Sequence, residues 1–208
     1  MFGSMSVGHE LATSREAPTT SWSLPEWRER NERAAVDRLA LLMADISEYS
    51  NAPLAIRERV LREVVVVARH VDLSRTGAEA DRYGRRVLRE ESSGWSLAAV
   101  TLRYGQATEA HDHNGWGCAV TIQGVERDRR FALVGDELIQ ISEQNYAAGE
   151  GYLFDMSDIH QPVGADPERE TVALHFMFLD HGSGTVHQRL HEAGTDAETS
   201  GHDLKSAA

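Results

Sequence analysis

The chain has 208 residues, 41% of them hydrophobic, which suits one globular domain with a sizeable core and terminal extensions. Lys and Arg total 21 against 33 Asp and Glu, a formal charge of −12 that repels phosphate backbones and so argues against nucleic acid or an anionic membrane as a partner. Cys118 is the single cysteine, so no intrachain disulfide can form and nothing in the pattern demands an oxidising compartment.

Residues 1–23 are rich in Ser, Thr, Gly and Glu without apolar periodicity and read as a tail. They lack the basic flank and apolar run of a secretory signal. No apolar run, 64–68 included, is long enough to span a bilayer, so the cytoplasm is the expected location. Pro25 and Glu26 open an amphipathic helix in which Ala35, Leu39, Leu42, Met43 and Ile46 recur at helical spacing. Asn51 and Pro53 interrupt the pattern. A second helix then carries Ile56, Val60, Val64, Val67 and Val71 on one stripe. A third, shorter helix is expected over 78–89, with Gly84 opposing it.

From Ser96 the period becomes strand-like. Segments 96–103, 118–126, 130–134, 138–142, 151–155 and 171–179 read as short strands separated by Gly, Asn, Asp or Pro, a pattern that points to an antiparallel sandwich or barrel. The organisation is a 24–180 domain, with helices over about 25–90 and a barrel over about 94–180. A polar, Gly-rich tail follows over 181–208.

Ten histidines are present, and one set is informative. His111 and His113 are two apart, so on a strand both point to the same face. Imidazole is the commonest metal ligand, and a third donor would complete a facial set. His160, expected at the end of a later strand, is the candidate third donor. Asp112 faces the other way by alternation and takes a structural role.

Gly105, then His111-x-His113, then Gly124 resembles the first motif of the cupins. Gly149, then Asp155-x-Ser157-x-x-His160 resembles the second, with Asp155 and Ser157 where the family usually has proline and glycine. The resemblance implies a mainly β cupin, a double-stranded β-helix or jelly-roll barrel, preceded here by N-terminal α-helices. The motif's usual glutamate is missing, because Asn114-Gly115-Trp116-Gly117-Cys118 contains no carboxylate. The ligand set is then three neutral imidazoles, leaving roughly three positions of an octahedral ion open.

Within the cupins, His111-Asp112-His113-x-x-Trp116-Gly117 and Asp158-Ile159-His160 are similar to segments of the thiol dioxygenases, the cysteine dioxygenase and 3-mercaptopropionate dioxygenase branch. The resemblance covers roughly residues 80–180. It implies iron(II) on His111, His113 and His160, and oxidation of a small anionic thiol to a sulfinate by dioxygen. Tyr83-Gly84-Arg85 resembles the segment whose arginine pairs with the substrate carboxylate, which implies that role for Arg85. His175 matches the histidine of the family's Ser-x-His-x-Tyr strand and would orient substrate or oxygen.

Here that strand reads Ala173-Leu174-His175-Phe176-Met177, so serine and tyrosine are both absent. Cys118 therefore has no tyrosine at that position for the crosslink of the mammalian-type enzymes, and reads as a small buried hydrophobe. Tyr152 or Tyr104 could supply the missing phenol, and Met177 would make the pocket more apolar. Trp116 is placed either near the metal or in the core. The missing residues keep two alternatives open: a three-histidine iron acting on a diketone or other chelating carbon acid, and a non-catalytic metal-binding or sensing cupin.

Overall fold

The computed structural model describes residues 23–46, 52–113 and 115–178, and the backbone of 189–191. Helix α1 (Leu24–Ala44) starts at Ser23, whose backbone N–H donates to Glu26 Oε2 over 2.8 Å, with Pro25 in the first turn. Helix α2 (Leu54–Ala68) buries Val60, Val64 and Val67. Among the described residues, no helix is long and apolar enough to cross a membrane.

A short 3-10 turn (Leu73–Arg75) leads into β1 (Gly84–Glu91). The expected third helix is thus absent, and 84–91 is a strand. Its side chains favour a helix locally, but β1 pairs antiparallel along β2 (Trp95–Leu102) from Gly84 opposite Thr101 to Glu91 opposite Trp95. A ladder of that length outweighs weak local propensity. Gly84 is required there, because a Cβ would overlap the Gly77 carbonyl.

The remaining strands are β3 (Ala110–Asp112), β4 (Gly117–Gln123), β5 (Val125–Val134), β6 (Glu137–Ala147), β7 (Gly151–Phe154), β8 (Ile159–Gly164), β9 (Thr171–Phe178) and β10 (Arg189–His191). Two sheets result, in the orders β1-β2-β9-β4-β7 and β10-β3-β8-β5-β6. From β2 to β9 the chain alternates between the sheets except at the β5–β6 hairpin, as in a jelly roll of two Greek keys, the double-stranded β-helix expected. Gly105 and Gly149 turn the chain with φ of 77° and 92°, so the motif glycines do sit at corners of the barrel.

Two strand expectations change. The segments expected at 118–126 and 130–134 become β4, a turn at Gly124, and one continuous β5. Strand β8 was hidden by Pro162 and Gly164, so His160 lies near the start of β8 and not at the end of β7.

The main apolar core lies outside the barrel. Trp95, Leu97 and Ala99 on β2, Cys118 and Val120 on β4, and Leu174, Phe176 and Phe178 on β9 pack with Leu39, Val60, Val64 and Val67 of the helices. Alternation turns the intervening residues toward the second sheet. One lateral row of Cα partners on that inner face runs Ala98, His175, Ala119, Tyr152. Because the helix layer supplies the hydrophobic burial, the barrel interior can hold polar groups.

Candidate metal centre

His111 on β3 and His160 on β8 are direct Cα partners, and His113 follows just beyond the end of β3. Their ligand nitrogens all lie within 4.8 Å of one another, with His111 and His160 buried and His113 half-buried. The three expected ligands therefore converge on one point.

The backbone and a carboxylate set the ring orientations. His111 Nδ1 lies 2.7 Å from the Glu109 carbonyl, which can only accept, so Nδ1 carries the hydrogen and Nε2 keeps its lone pair. His160 Nδ1 donates to Asp128 Oδ1 over 2.9 Å with the same consequence. His113 Nε2 lies 3.1 Å from His160 Nε2. A hydrogen on one of these nitrogens makes an N–H···N contact, and a cation in its place would take the lone pairs.

The electrostatics keep His111 and His113 neutral. Burial, reinforced by the neighbouring His160, lowers His111 to about 4. Burial and then His160 lower His113 to about 2. Burial alone would raise the Asp128 carboxyl, but its bonds to His160 and Arg130 outweigh that and hold it below the usual carboxylate range. His111 and His160, each with Nδ1 anchored and Nε2 turned to the cluster, together with His113, suit a divalent transition ion. The carboxylate behind His160 is the support such ligands commonly have.

Strand β5 supplies the supporting charges. Glu126, Asp128 and Arg130 alternate onto its inner face. Arg130 donates from Nε to Asp128 Oδ2 over 2.8 Å, from Nη1 to Asp158 Oδ2 over 2.6 Å, and from Nη2 to the Leu153 carbonyl over 3.0 Å. Asp158 in turn accepts from the Asp155 N–H over 2.8 Å and ties the β7–β8 turn that delivers His160. Phe154 closes the apolar side, its ring centroid 5.0 Å from His113 and 4.9 Å from His160.

His175 faces the lumen from β9, as expected, and its Nε2 lies 3.2 Å from Glu126 Oε2. The other oxygen of Glu126 accepts from the Tyr152 hydroxyl over 2.9 Å. Of the two candidate phenols, Tyr152 is thus inside and Tyr104 is exposed on a turn. Met177 packs against the Ala119, Tyr152 and Phe154 cluster on the inner face. Trp116 and Cys118 belong to the core under the helices, and Trp116 lies beneath the Arg57 guanidinium at 5.5 Å. Burial pushes the Cys118 thiol well up, as fits a buried hydrophobe. Arg85 is exposed on edge strand β1, opposite Val100 on the row next to that of His175.

Glu126 and Asp128 are the site residues that sequence reasoning missed. The signal present was the two-residue period of Glu126-x-Asp128-x-Arg130. It was masked because Arg127 and Arg129 make 126–130 charged at every position.

No protein-family model matches the chain, and no curated protein matches it. Similar solved structures include a cupin superfamily protein from Desulfitobacterium hafniense, at 12% identity and a TM-score of 0.42, covering 54% of this chain and 87% of that one. A protein with a double-stranded β-helix domain from Klebsiella pneumoniae is 14% identical with a TM-score of 0.46, covering 56% and 85%. A cupin-like protein from Thermotoga maritima is 16% identical with a TM-score of 0.43, covering 56% and 85%. The chain is a mainly β, two-sheet barrel preceded by two helices, and its lumen carries a three-histidine cluster that can hold a metal ion.

Proposed function

We propose that the chain is a non-haem iron(II) dioxygenase that converts a small anionic thiol, of the cysteine or 3-mercaptopropionate type, to a sulfinate. The observation that carries this reading is the ligand set: three imidazoles with no carboxylate among them, two of which, His111 and His113, burial keeps neutral. A divalent ion on such a set keeps its full charge until an anionic ligand arrives, which favours a thiolate. Iron(II) held there supplies the one-electron chemistry that ground-state dioxygen needs.

In the overall reaction the O–O bond breaks and two S–O bonds form. The sulfur gives up all the electrons that dioxygen accepts, so no external reductant is required. The thiol proton leaves, and the sulfinate stays ionised at neutral pH. His175 would orient substrate or oxygen from the β9 wall, and Arg85 would meet a substrate carboxylate from the β1 edge.

A second reading, a diketone or other chelating carbon acid on the same metal, is favoured by Ala173 and Met177, which replace the family's serine and tyrosine beside His175. Oxygen uptake by the iron-loaded protein with cysteine, 3-mercaptopropionate and acetylacetone separates the two. Sulfinate formation with a thiol is expected. Uptake with acetylacetone alone would favour the second reading, and iron binding without any turnover would reduce the protein to a metal-binding cupin.

A further inference from the structure

Glu126 is fully buried on the inner face of β5, and both its oxygens are used: Oε1 by the Tyr152 hydroxyl at 2.9 Å and Oε2 by His175 Nε2 at 3.2 Å. Its partners come from the opposite sheet, where Tyr152 and His175 sit in one lateral row with the small side chain of Ala119 between them. The carboxylate thus bridges the two sheets and sets the direction of two hydrogens at once. Tyr152 is held from other sides as well. Its ring lies 4.5 Å from that of Tyr146 and 6.4 Å from that of His160, and the Arg130 guanidinium lies 5.8 Å from its centroid.

Packing alone does not call for this trio. A buried carboxylate is costly to desolvate, and an apolar set of similar volume would stabilise the wall at least as well. Three polar groups converging beside a ligand cluster therefore point to work done in the lumen.

We propose that Glu126 is a positioning residue that holds Tyr152 and His175 as one unit on the lumen wall. Tyr152 then supplies the phenol of the site from β7. The inference rests on the three-histidine metal reading and is independent of the thiol.

The test compares Glu126→Gln, which preserves shape while removing the charge, with Tyr152→Phe, which removes only the hydroxyl. Iron content and thermal midpoint are measured first. The electron paramagnetic resonance spectrum of the iron-loaded protein with nitric oxide, a stable stand-in for dioxygen, then reads the surroundings of the metal without turnover. Both variants are expected to bind iron stoichiometrically and to shift that spectrum in the same direction. If the wild type oxidises a thiol, kcat should fall about 10- to 100-fold with KM within about threefold, since misplacement by a fraction of an ångström to an ångström costs that much.

An unchanged nitrosyl spectrum in Tyr152→Phe with full iron content overturns the proposal. If Glu126→Gln does not fold, Tyr152→Phe decides alone. If the wild type turns over no thiol, the function reading fails, and the spectrum still decides the positioning.

Discussion

His160 donates from Nδ1 to Asp128 Oδ1 over 2.9 Å, and this one bond links the candidate metal centre to the charged row on β5. Asp128 takes Arg130 on its other oxygen, and Arg130 reaches on to Asp158 at the turn before β8. Ring tautomer, ring direction and strand entry are thereby tied together.

The first prediction concerns that linkage. His160→Ala should abolish stoichiometric iron(II) binding, and Asp128→Asn should weaken it about 10- to 100-fold, as expected when the partner of a ligating imidazole is lost. Metal titration under anaerobic conditions measures both. Unchanged iron content in His160→Ala would show that the third ligand lies elsewhere.

The second concerns acid. His111 and His113 are lowered from the ordinary 6.5 to about 4 and about 2. Between 6.5 and about 4 the unfolded chain binds more protons at these positions than the folded one, so stability rises with pH there. Their contribution is complete above 6.5 and is lost progressively as pH falls toward 4 and below. The lowered carboxyl of Asp128 adds stability above its ordinary 3.8 that is lost in stronger acid. The urea midpoint of the metal-free protein should therefore decline as pH drops below 6.5, and His113→Asn should flatten the decline. A flat wild-type profile over that interval would contradict the neutral, buried histidines.

Gly117→Ala tests the apolar side of the site. A Cβ at 117 would overlap the Phe154 ring and the Phe176 carbonyl, so Phe154 must shift off His113 and His160. Overpacking of this kind costs about 1–3 kcal/mol. Denaturant unfolding should show that loss together with weaker metal binding. Wild-type values for both would mean that Phe154 moves without consequence.

Cys118 gives the fourth prediction. Its thiol is buried among the helix-facing residues and held protonated, so a disulfide reagent should leave the native protein unmodified and react once denaturant is added. Cys118→Ala should cost about 1 kcal/mol of stability and spare metal binding. Rapid reaction of the native thiol would place it in contact with solvent.

Spacing along the chain was enough to reveal the two helices, most of the strands and the shared face of His111 and His113, while the corner glycines, and with them the weight given to His160, came from the resemblance to the cupin motifs. The reason is local. His111 and His113 share a face because a strand has a two-residue period, and Gly105 and Gly149 mark backbone turns that favour glycine. The strand at 84–91 was not legible, since its identity depends on a ladder with β2 and its own residues suit a helix. Strand β8 was hidden by its proline and glycine.

The supporting half of the site was decided by tertiary structure alone. Glu126 meets Tyr152 across 26 positions of sequence and His175 across 49, while Asp128 meets His160 across 32. No local period encodes such meetings, because they depend on which strands lie opposite one another in the closed barrel. The sequence by itself determined which residues can bind a metal. The packing of two sheets determined which carboxylates orient them, and that an inner phenol, Tyr152, stands where β9 offers none.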